Sequence, residues 1–184
     1  VEVSDSAIPE WKTNVQLGVD WADARARALV PEGEGGRFHE RAAFVQVQYA
    51  TLDSLALPSR GSLLQARVYR GASDARTNTT AIGLTAFKLE AWEGHVYGEW
   101  ARARSGFAPL SLGGFLRLSG TPRGSIAAQR IVLGRLVMAR RIGQMPAGFG
   151  GAASAGFSLE FGNGFDVGES IRWGDLQQAG SVFV

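Results

Sequence analysis

A serine in a small-residue segment is the first place in this sequence where catalysis could arise. Ser154 lies in Ala152-Ala153-Ser154-Ala155-Gly156, which is one residue away from the nucleophile-elbow pattern of serine hydrolases. That pattern requires a sharp turn from a strand into a helix, and no helix is predicted after Ser154. His39 and His95 lie on separate predicted strands without acid-rich surroundings, so neither a triad nor a metal site is indicated. We therefore predict no catalytic residue, no metal and no cofactor in this chain.

Sites for phosphate groups are also disfavoured. The glycine clusters Gly148-Phe149-Gly150-Gly151 and Gly162-Asn163-Gly164 do not open helices, so we interpret them as turns. Only two of the nineteen basic residues are lysines, Lys12 and Lys88, and the arginines alternate with apolar residues instead of forming a basic patch. With a formal net charge of only +2, nucleic acid is not an expected partner.

The composition favours an all-β protein. There are 25 glycines, and five Trp, ten Phe and three Tyr supply the aromatic residues that strands favour. Cysteine is absent, which excludes disulfides and thiolate metal sites. The mean hydropathy of -0.02 looks soluble, but a membrane barrel also averages to a neutral value, because its lipid-facing and lumen-facing residues alternate.

Period-two alternation predicts about eight antiparallel strands. Val45, Val47 and Tyr49 alternate with Gln46 and Gln48, which indicates one apolar face and one wet face. Such alternation does not by itself distinguish a barrel in lipid from a soluble β-sandwich. The predicted strands are 11–28, with a possible bulge near Trp21, then 43–49, 62–71, 79–92, 95–104, 127–141, 152–162 and 176–184, with a tight turn at Glu93-Gly94.

Two connections carry informative residues. Asp53, Pro58 and Gly61 lie in a segment that joins two strands, where proline fixes φ and glycine permits a turn. The second connection, residues 105–126, is unusually long, and loops of this length in compact proteins are usually functional or disordered. Its Phe115 and Leu118 are too apolar for a solvated tip, so we expect the loop to be packed, folded back into a lumen.

As an ordered set, these segments resemble the barrel of the bacterial surface antigen superfamily, which comprises outer-membrane assembly and secretion barrels. The similarity is greatest to the branch fused to patatin-like phospholipases, the type Vd autotransporters. It is carried by the Asp53, Pro58 and Gly61 turn, by the loop sequence 113–120, and by two strand phrases, Val132-Leu133-Gly134-Arg135-Leu136-Val137 and Ser158-Leu159-Glu160-Phe161-Gly162-Asn163.

The resemblance implies an antiparallel transmembrane β-barrel in a bacterial outer membrane. Residues 1–184 would form one barrel domain, incomplete at both ends, with about eight strands of a sixteen-stranded barrel and a lumen-inserted loop. Its role would be to anchor an attached patatin-like phospholipase and help to export it. The expected partners are membrane lipid and the protein's own upstream domains, and a homo-oligomer is left open. Closure as a small eight-stranded barrel remains an alternative.

The resemblance also identifies the residues that would join the loop to the strands. In the family an arginine at the loop tip pairs with a carboxylate of the thirteenth strand, but here Ser119 and Gly120 occupy the tip while Glu160 keeps the carboxylate. We expect Arg117 or Arg123 to supply the missing charge, because an arginine fork suits a half-buried carboxylate. Arg135, in the preceding strand phrase, completes the predicted lumen set. The alternative function is a soluble β-sandwich that binds carbohydrate or protein.

Overall fold

The structure, a computed structural model, describes residues 13–25, 37–53, 58–71, 77–104, 110–144 and 152–184. Nearly all regular structure in these ranges is β-strand. The strands are β1 (Thr13–Arg25), β2 (Arg37–Ala50), β3 (Ser62–Gly71), β4 (Thr77–Leu89), β5 (Trp92–Arg104), β6 (Leu110–Leu112), β7 (Ile126–Ala128), β8 (Arg130–Gln144), β9 (Ala152–Phe165) and β10 (Gln177–Phe183), and a short 3-10 helix spans Trp173–Asp175.

Eight of the strands form one antiparallel sheet in the order β1-β2-β3-β4-β5-β8-β9-β10. The remaining two strands, β6 and β7, pair with each other as a separate hairpin. The all-β, antiparallel prediction is therefore confirmed. The sheet is open, because no pairing joins β1 to β10 within the described part of the chain. Closure of this segment alone as an eight-stranded barrel is therefore wrong.

Several predicted boundaries are corrected by the strand register. The turn between β4 and β5 lies at Glu90-Ala91, where Glu90 has a φ of 54°. Glu93 and Gly94, predicted as the turn, belong to β5, and the Lys88 ammonium donates a hydrogen bond of 3.2 Å to Glu93 across the hairpin. The register between β1 and β2 runs without a shift past Trp21, so the bulge considered there is wrong.

One further boundary concerns the long connection before β8. Residues 126–128 belong to the small hairpin, and β8 begins only at Arg130. The hairpin was missed because its strands are only three residues long, too short for a period to be recognised in the sequence. The predicted turn at 148–151 lies outside the described residues.

The two faces of the sheet have opposite polarity. We call the face that carries Glu99 and Glu160 the inner face and the opposite one the outer face. Outer side chains are large, apolar and exposed, as at Leu17 (76% exposed) and Leu64 (58%). The other exposed outer residues include Val15, Val19, Val45, Val47, Tyr49, Val68, Val96, Trp100, Leu159, Phe161 and Val182. The described residues contain no second sheet packed on this face, as the β-sandwich alternative would require.

The main buried cluster lies on the inner face of β5 and β8. Leu112 and Leu118 come from the connection between β5 and β8, and they pack with Ile131 and Leu133 of β8. Leu118 and Leu112 are 0% and 1% exposed. The core therefore forms between the sheet and its own long connection, and not between two sheets.

Within the described ranges, no helix has the length and apolar character needed to cross a membrane.

Candidate functional site

The candidate site is the contact between the inner face and residues 113–125, which we call the inner loop. Its backbone is folded on itself, because the Gly113 amide donates to the Arg117 carbonyl (2.8 Å) and the Gly114 amide donates to the Thr121 carbonyl (2.9 Å). Gly113 has a φ of 114°, and a Cβ there would lie 2.2 Å from the carbonyl oxygen of Pro122. The glycine is thus required by the close approach of the two ends of the loop.

Two non-glycine residues of the inner loop also have left-handed backbone conformations. Leu116 has a φ of 58° and Leu118 a φ of 74°. Such conformations cost energy for residues with a Cβ and persist where the surroundings impose them. Here they turn consecutive backbone N–H groups toward the sheet, and the side chain of Leu118 enters the core beside them.

Glu160 of β9 accepts hydrogen bonds from these N–H groups. Its Oε2 accepts hydrogen bonds from the backbone amides of Leu118 (2.6 Å) and Ser119 (2.8 Å). Its Oε1 accepts hydrogen bonds from the hydroxyls of Ser119 (2.7 Å) and Ser158 (2.5 Å). Glu160 is 0% exposed. Four short hydrogen bonds therefore compensate the buried carboxylate, and no cation of the described residues forms an ion pair with it.

The expected ion pair between Glu160 and Arg117 or Arg123 is wrong. Arg117 instead forms an ion pair with Glu99. Arg123 is exposed and lies close to Gly114. The physical reason is that the left-handed turn at Leu118 already presents backbone donors to Glu160, so no side-chain cation is needed there. Ser119 takes part through both its amide and its hydroxyl, whereas Gly120 (φ 86°) is exposed.

Glu99 of β5 provides a second carboxylate contact with the inner loop. Arg117 binds it with both guanidinium ends, Nη1 to Oε2 at 2.6 Å and Nη2 to Oε1 at 3.0 Å. The Tyr97 hydroxyl donates to the same carboxylate at 2.7 Å. The Glu99 side chain is 8% exposed and that of Arg117 is 37% exposed, so water reaches this ion pair from one side. It is a bidentate pair at the border of the buried region.

Arg135 lies between the two carboxylate contacts. It is directly opposite Glu160 in the register of β8 and β9, and its Nη1 donates a hydrogen bond of 2.8 Å to the Leu116 carbonyl of the inner loop. Its guanidinium stacks over the Tyr97 ring at 4.5 Å, and its Nη2 lies 3.5 Å from Nε2 of His95. The predicted residues Arg117, Ser119, Arg135 and Glu160 are thus brought together, although with different pairings from those expected.

The second predicted constellation forms a separate structure at the turn between β2 and β3. The Asp53 carboxylate accepts hydrogen bonds from the Ser59 amide (2.9 Å), the Ser59 hydroxyl (2.5 Å) and the Arg60 amide (3.2 Å). These bonds hold the pKa of Asp53 below its usual value, the Ser59 hydroxyl being the main cause. Pro58 is fully buried. Gly61 has a φ of 96°, and a Cβ there would meet the carbonyl oxygen of Thr51 at 2.1 Å.

Three site residues were not predicted from the sequence. Glu99, Tyr97 and Ser158 all lie on the inner face, and the contact with the inner loop involves each of them directly or through one hydrogen bond. Ser158 could have been found, since it lies two residues before Glu160 in the best-alternating strand. Glu99 and Tyr97 had a weaker signal, because the inward and outward positions of β5 are unclear in the sequence.

The residues first considered for catalysis lie on three different strands, β2, β5 and β9. Ser154 lies within the continuous strand β9, opposite Arg141, and the strand continues to Phe165 without a helix. His95 is buried beside Arg135, and His39 lies in β2. Within the described ranges, no group of three or more acidic or histidine residues is placed to hold a metal ion.

No model of a known protein family matches this chain, and no curated protein matches it.

Proposed function

We propose that this chain forms part of the wall of a bacterial outer-membrane β-barrel, and that the inner loop lies inside the barrel as a plug. The barrel anchors an attached patatin-like phospholipase domain to the membrane and assists its export. The chain itself carries out no chemistry. The anchoring and export roles rest on the sequence resemblance, whereas the barrel itself is supported by the polarity of the sheet.

The observation that carries the proposal is the inverted polarity of the two faces. Charged and polar groups such as Glu99, Glu160 and Arg135 lie on the inner face, while large apolar side chains such as Leu17 and Val47 are exposed on the outer face. In water this arrangement exposes a contiguous apolar surface, which soluble monomers rarely do. In a bilayer it is favourable, because lipid covers the outer face and the polar groups face a lumen.

The length of the apolar segments agrees with this placement. On β9 the outer positions run from Ala153 to Phe161 and are apolar throughout, with Leu159 and Phe161 exposed. This run is close to the roughly 9–11 residues that a tilted transmembrane strand needs. The wall of a barrel also requires each strand to be antiparallel to its neighbours and to keep its outer side chains on the same face as theirs, and the eight strands of the sheet do so.

The inner loop supports a barrel larger than eight strands. An eight-stranded barrel has an interior just wide enough for its own side chains. Here the inner face of β5, β8 and β9 also holds a hairpin and a loop whose Leu112 and Leu118 are fully buried. A barrel that encloses this much chain needs a larger diameter than eight strands give, which agrees with membership of a sixteen-stranded barrel.

The first experiment is to test for dependence on a membrane environment. We expect the chain in cells to remain with membranes after alkaline carbonate washing, and to be released as a folded, monodisperse species only with detergent. The matched variant is Leu17→Glu/Val47→Glu, which places two charges on the outer face of β1 and β2 and should abolish membrane integration. A folded, monodisperse chain in detergent-free buffer would refute the barrel, because a lipid-facing surface has to be covered.

The phospholipase role needs a separate measurement. If the anchoring role holds, the intact mass of the mature polypeptide extracted from its native membrane should be well above 19.6 kDa, since that role requires an attached lipase domain. A mature mass near 19.6 kDa would end the anchoring role, and a barrel would then require a second copy of the chain to complete its wall.

A further inference from the structure

The inner face of β1, β2 and β3 carries five side-chain amides on adjacent strands, which we call the amide block. Its members are Asn14, Gln16, Gln46, Gln48 and Gln65. The strand register places them in two rows across the sheet. The first row runs Asn14–Gln48–Gln65, and the second runs Gln16–Gln46 and ends at Arg67. Neighbouring members of a row are therefore about 4.8 Å apart, the spacing of adjacent strands.

The amides are mostly free of partners. The amide of Gln46 donates to the Oε1 of Gln48 at 3.4 Å, a long bond, and in the described part of the chain no other hydrogen bond engages the side chains of the block. Asn14 and Gln16 are exposed, and the three glutamines of β2 and β3 are partly exposed. The hairpin and the inner loop do not fill this region, because they pack against β5, β8 and β9.

One charged group borders the block and is held in place. The guanidinium of Arg67 stacks on the Phe44 ring at 4.4 Å, and its buried Nε has no partner among the described residues. The same ring lies against Gly18, where a Cβ would be 2.4 Å from two of the ring atoms. Packing therefore orients Arg67, and its guanidinium retains N–H donors for a bound group.

The chemistry of the block selects among ligand classes. A primary amide offers both donors and an acceptor, so adjacent amides match a ligand with closely spaced groups that also donate and accept. The hydroxyls of a sugar have this property. The two rows contain no carboxylate, because the acidic inner-face positions of these strands, Asp20 and Glu40, lie outside them, so a cationic ligand finds no counter-charge within the block. A polypeptide that binds as an added strand uses the edge of a sheet, whereas the block lies on its face.

We propose that the amide block, with Arg67, is a binding site for an oligosaccharide that crosses β1, β2 and β3. The amides bind its hydroxyls, and Arg67 binds a hydroxyl or an acidic group at one end. The site does not depend on the proposed membrane role, because the same side chains line the inner face whatever covers the outer face. Binding is weak, with a Kd of roughly 1 mM, since it rests on a few hydrogen bonds exchanged with water.

The test is calorimetric titration of the full chain with maltoheptaose and with chitohexaose, in a detergent that has no sugar headgroup. We expect at least one of the two to bind. Gln46→Ala and Gln65→Ala should each weaken binding by about 3–10-fold, the value of one hydrogen bond. The matched control is Gln178→Ala, which removes an exposed amide from the outer face of β10 and should leave binding unchanged.

Two results would overturn the proposal. One is the absence of heat with both sugars at 10-fold above the expected Kd. The other is an equal loss of binding in Gln178→Ala, which would place the sugar outside the amide block. If Gln46→Ala does not fold, Gln16→Ala replaces it, because Gln16 is exposed on the edge strand β1 and its truncation removes no packing.

Discussion

On the inner face of β5, β8 and β9, two carboxylates receive hydrogen bonds from the inner loop, and a buried apolar cluster that includes Leu118 lies beside them. On the inner face of β1, β2 and β3 the amide block is uncharged and is bordered by Arg67, and most of its amides have no partner among the described residues. The sheet thus buries carboxylates where the hairpin and the inner loop pack on it, which we call the covered region. It carries mainly uncharged amides on β1, β2 and β3, which the hairpin and the inner loop do not reach and which we call the open region.

The difference follows from the cost of burying polar groups. A buried carboxylate requires several donors, and Glu160 obtains four from the inner loop and Ser158. An amide on a solvent-exposed face costs little free energy when water is its only hydrogen-bond partner. The covered region therefore determines the position of the inner loop, while the open region is free to serve a ligand. Five predictions test this comparison.

The largest effect is expected at Glu160. Glu160→Ala leaves the amides of Leu118 and Ser119 buried without an acceptor, which should lower the free energy of unfolding by about 2–4 kcal/mol. The readout is urea unfolding in detergent, combined with trypsin cleavage after Arg117 and Arg123 in the inner loop. Glu160→Gln is the matched variant and should lose less, because it keeps an acceptor for the two amides. Equal stability of Glu160→Ala and the unsubstituted chain would show that the contact does not hold the loop.

A similar loss is expected when the apolar part of the same contact is removed. Leu118→Ala creates a cavity at a side chain that is 0% exposed, and should cost about 2–4 kcal/mol in the same unfolding assay. Leu89→Ala is the control, because Leu89 is 62% exposed at the end of β4. If the two substitutions cost the same, the core assigned to the covered region is wrong.

The second carboxylate contact should be weaker and sensitive to salt. Arg117→Met removes a bidentate ion pair whose arginine is 37% exposed, so we expect a loss of at most about 1 kcal/mol after allowance for screening. Raising the salt concentration should increase trypsin cleavage of the inner loop after Arg123 in the unsubstituted chain but not in Arg117→Met. Arg123→Met, which alters an exposed arginine, should have no effect on stability. A salt response that persists in Arg117→Met would disprove the role of this pair.

The Asp53 turn should respond to acid. Its folded-state pKa is below the usual aspartate value because of the bonds from Ser59 and Arg60, so its contribution is fully present above the unfolded-state pKa. That contribution is lost as the pH falls through the lower folded-state pKa. We expect amide hydrogen exchange at Ser59 and Arg60, corrected for the intrinsic pH dependence, to show reduced protection in that acidic window. Asp53→Asn should remove the pH response, and a response that survives this change would implicate another group.

The smallest effect on stability is expected in the open region. Gln65→Ala removes a partly exposed amide that has no hydrogen bond to the described residues. The free energy of unfolding should therefore change by less than about 0.5 kcal/mol. A loss comparable to that of Glu160→Ala would mean that the block is structural, and the contrast between the two regions would disappear.

Much of the sheet could be predicted from the sequence. Period-two alternation assigns Val45 and Val47 to one face and Gln46 and Gln48 to the other, and the register confirms it. The bounds of β3 were predicted correctly, because turn residues mark both of its ends. The turn between β4 and β5 was placed wrongly, since glycine at position 94 is a stronger turn signal than the Glu90-Ala91 pair that forms it.

The candidate site was predicted only in part. Arg117, Ser119, Arg135 and Glu160 were identified as a set, but their pairing depends on the backbone of the inner loop. The left-handed conformations at Leu116 and Leu118 have no sequence signal, because leucine rarely adopts them. Glu99 was missed for a related reason, since only the register of β5 with β8 places it on the inner face.

The sequence by itself determined the all-β character, the alternation of the strands, the Asp53 turn and the packed nature of the long connection. These features are local, because they follow from periodicity and from the backbone preferences of glycine and proline. Tertiary structure decided which carboxylate each loop donor reaches, and which amides on three different strands lie side by side. Those outcomes depend on strand register and on left-handed turns, which bring together groups far apart in the chain.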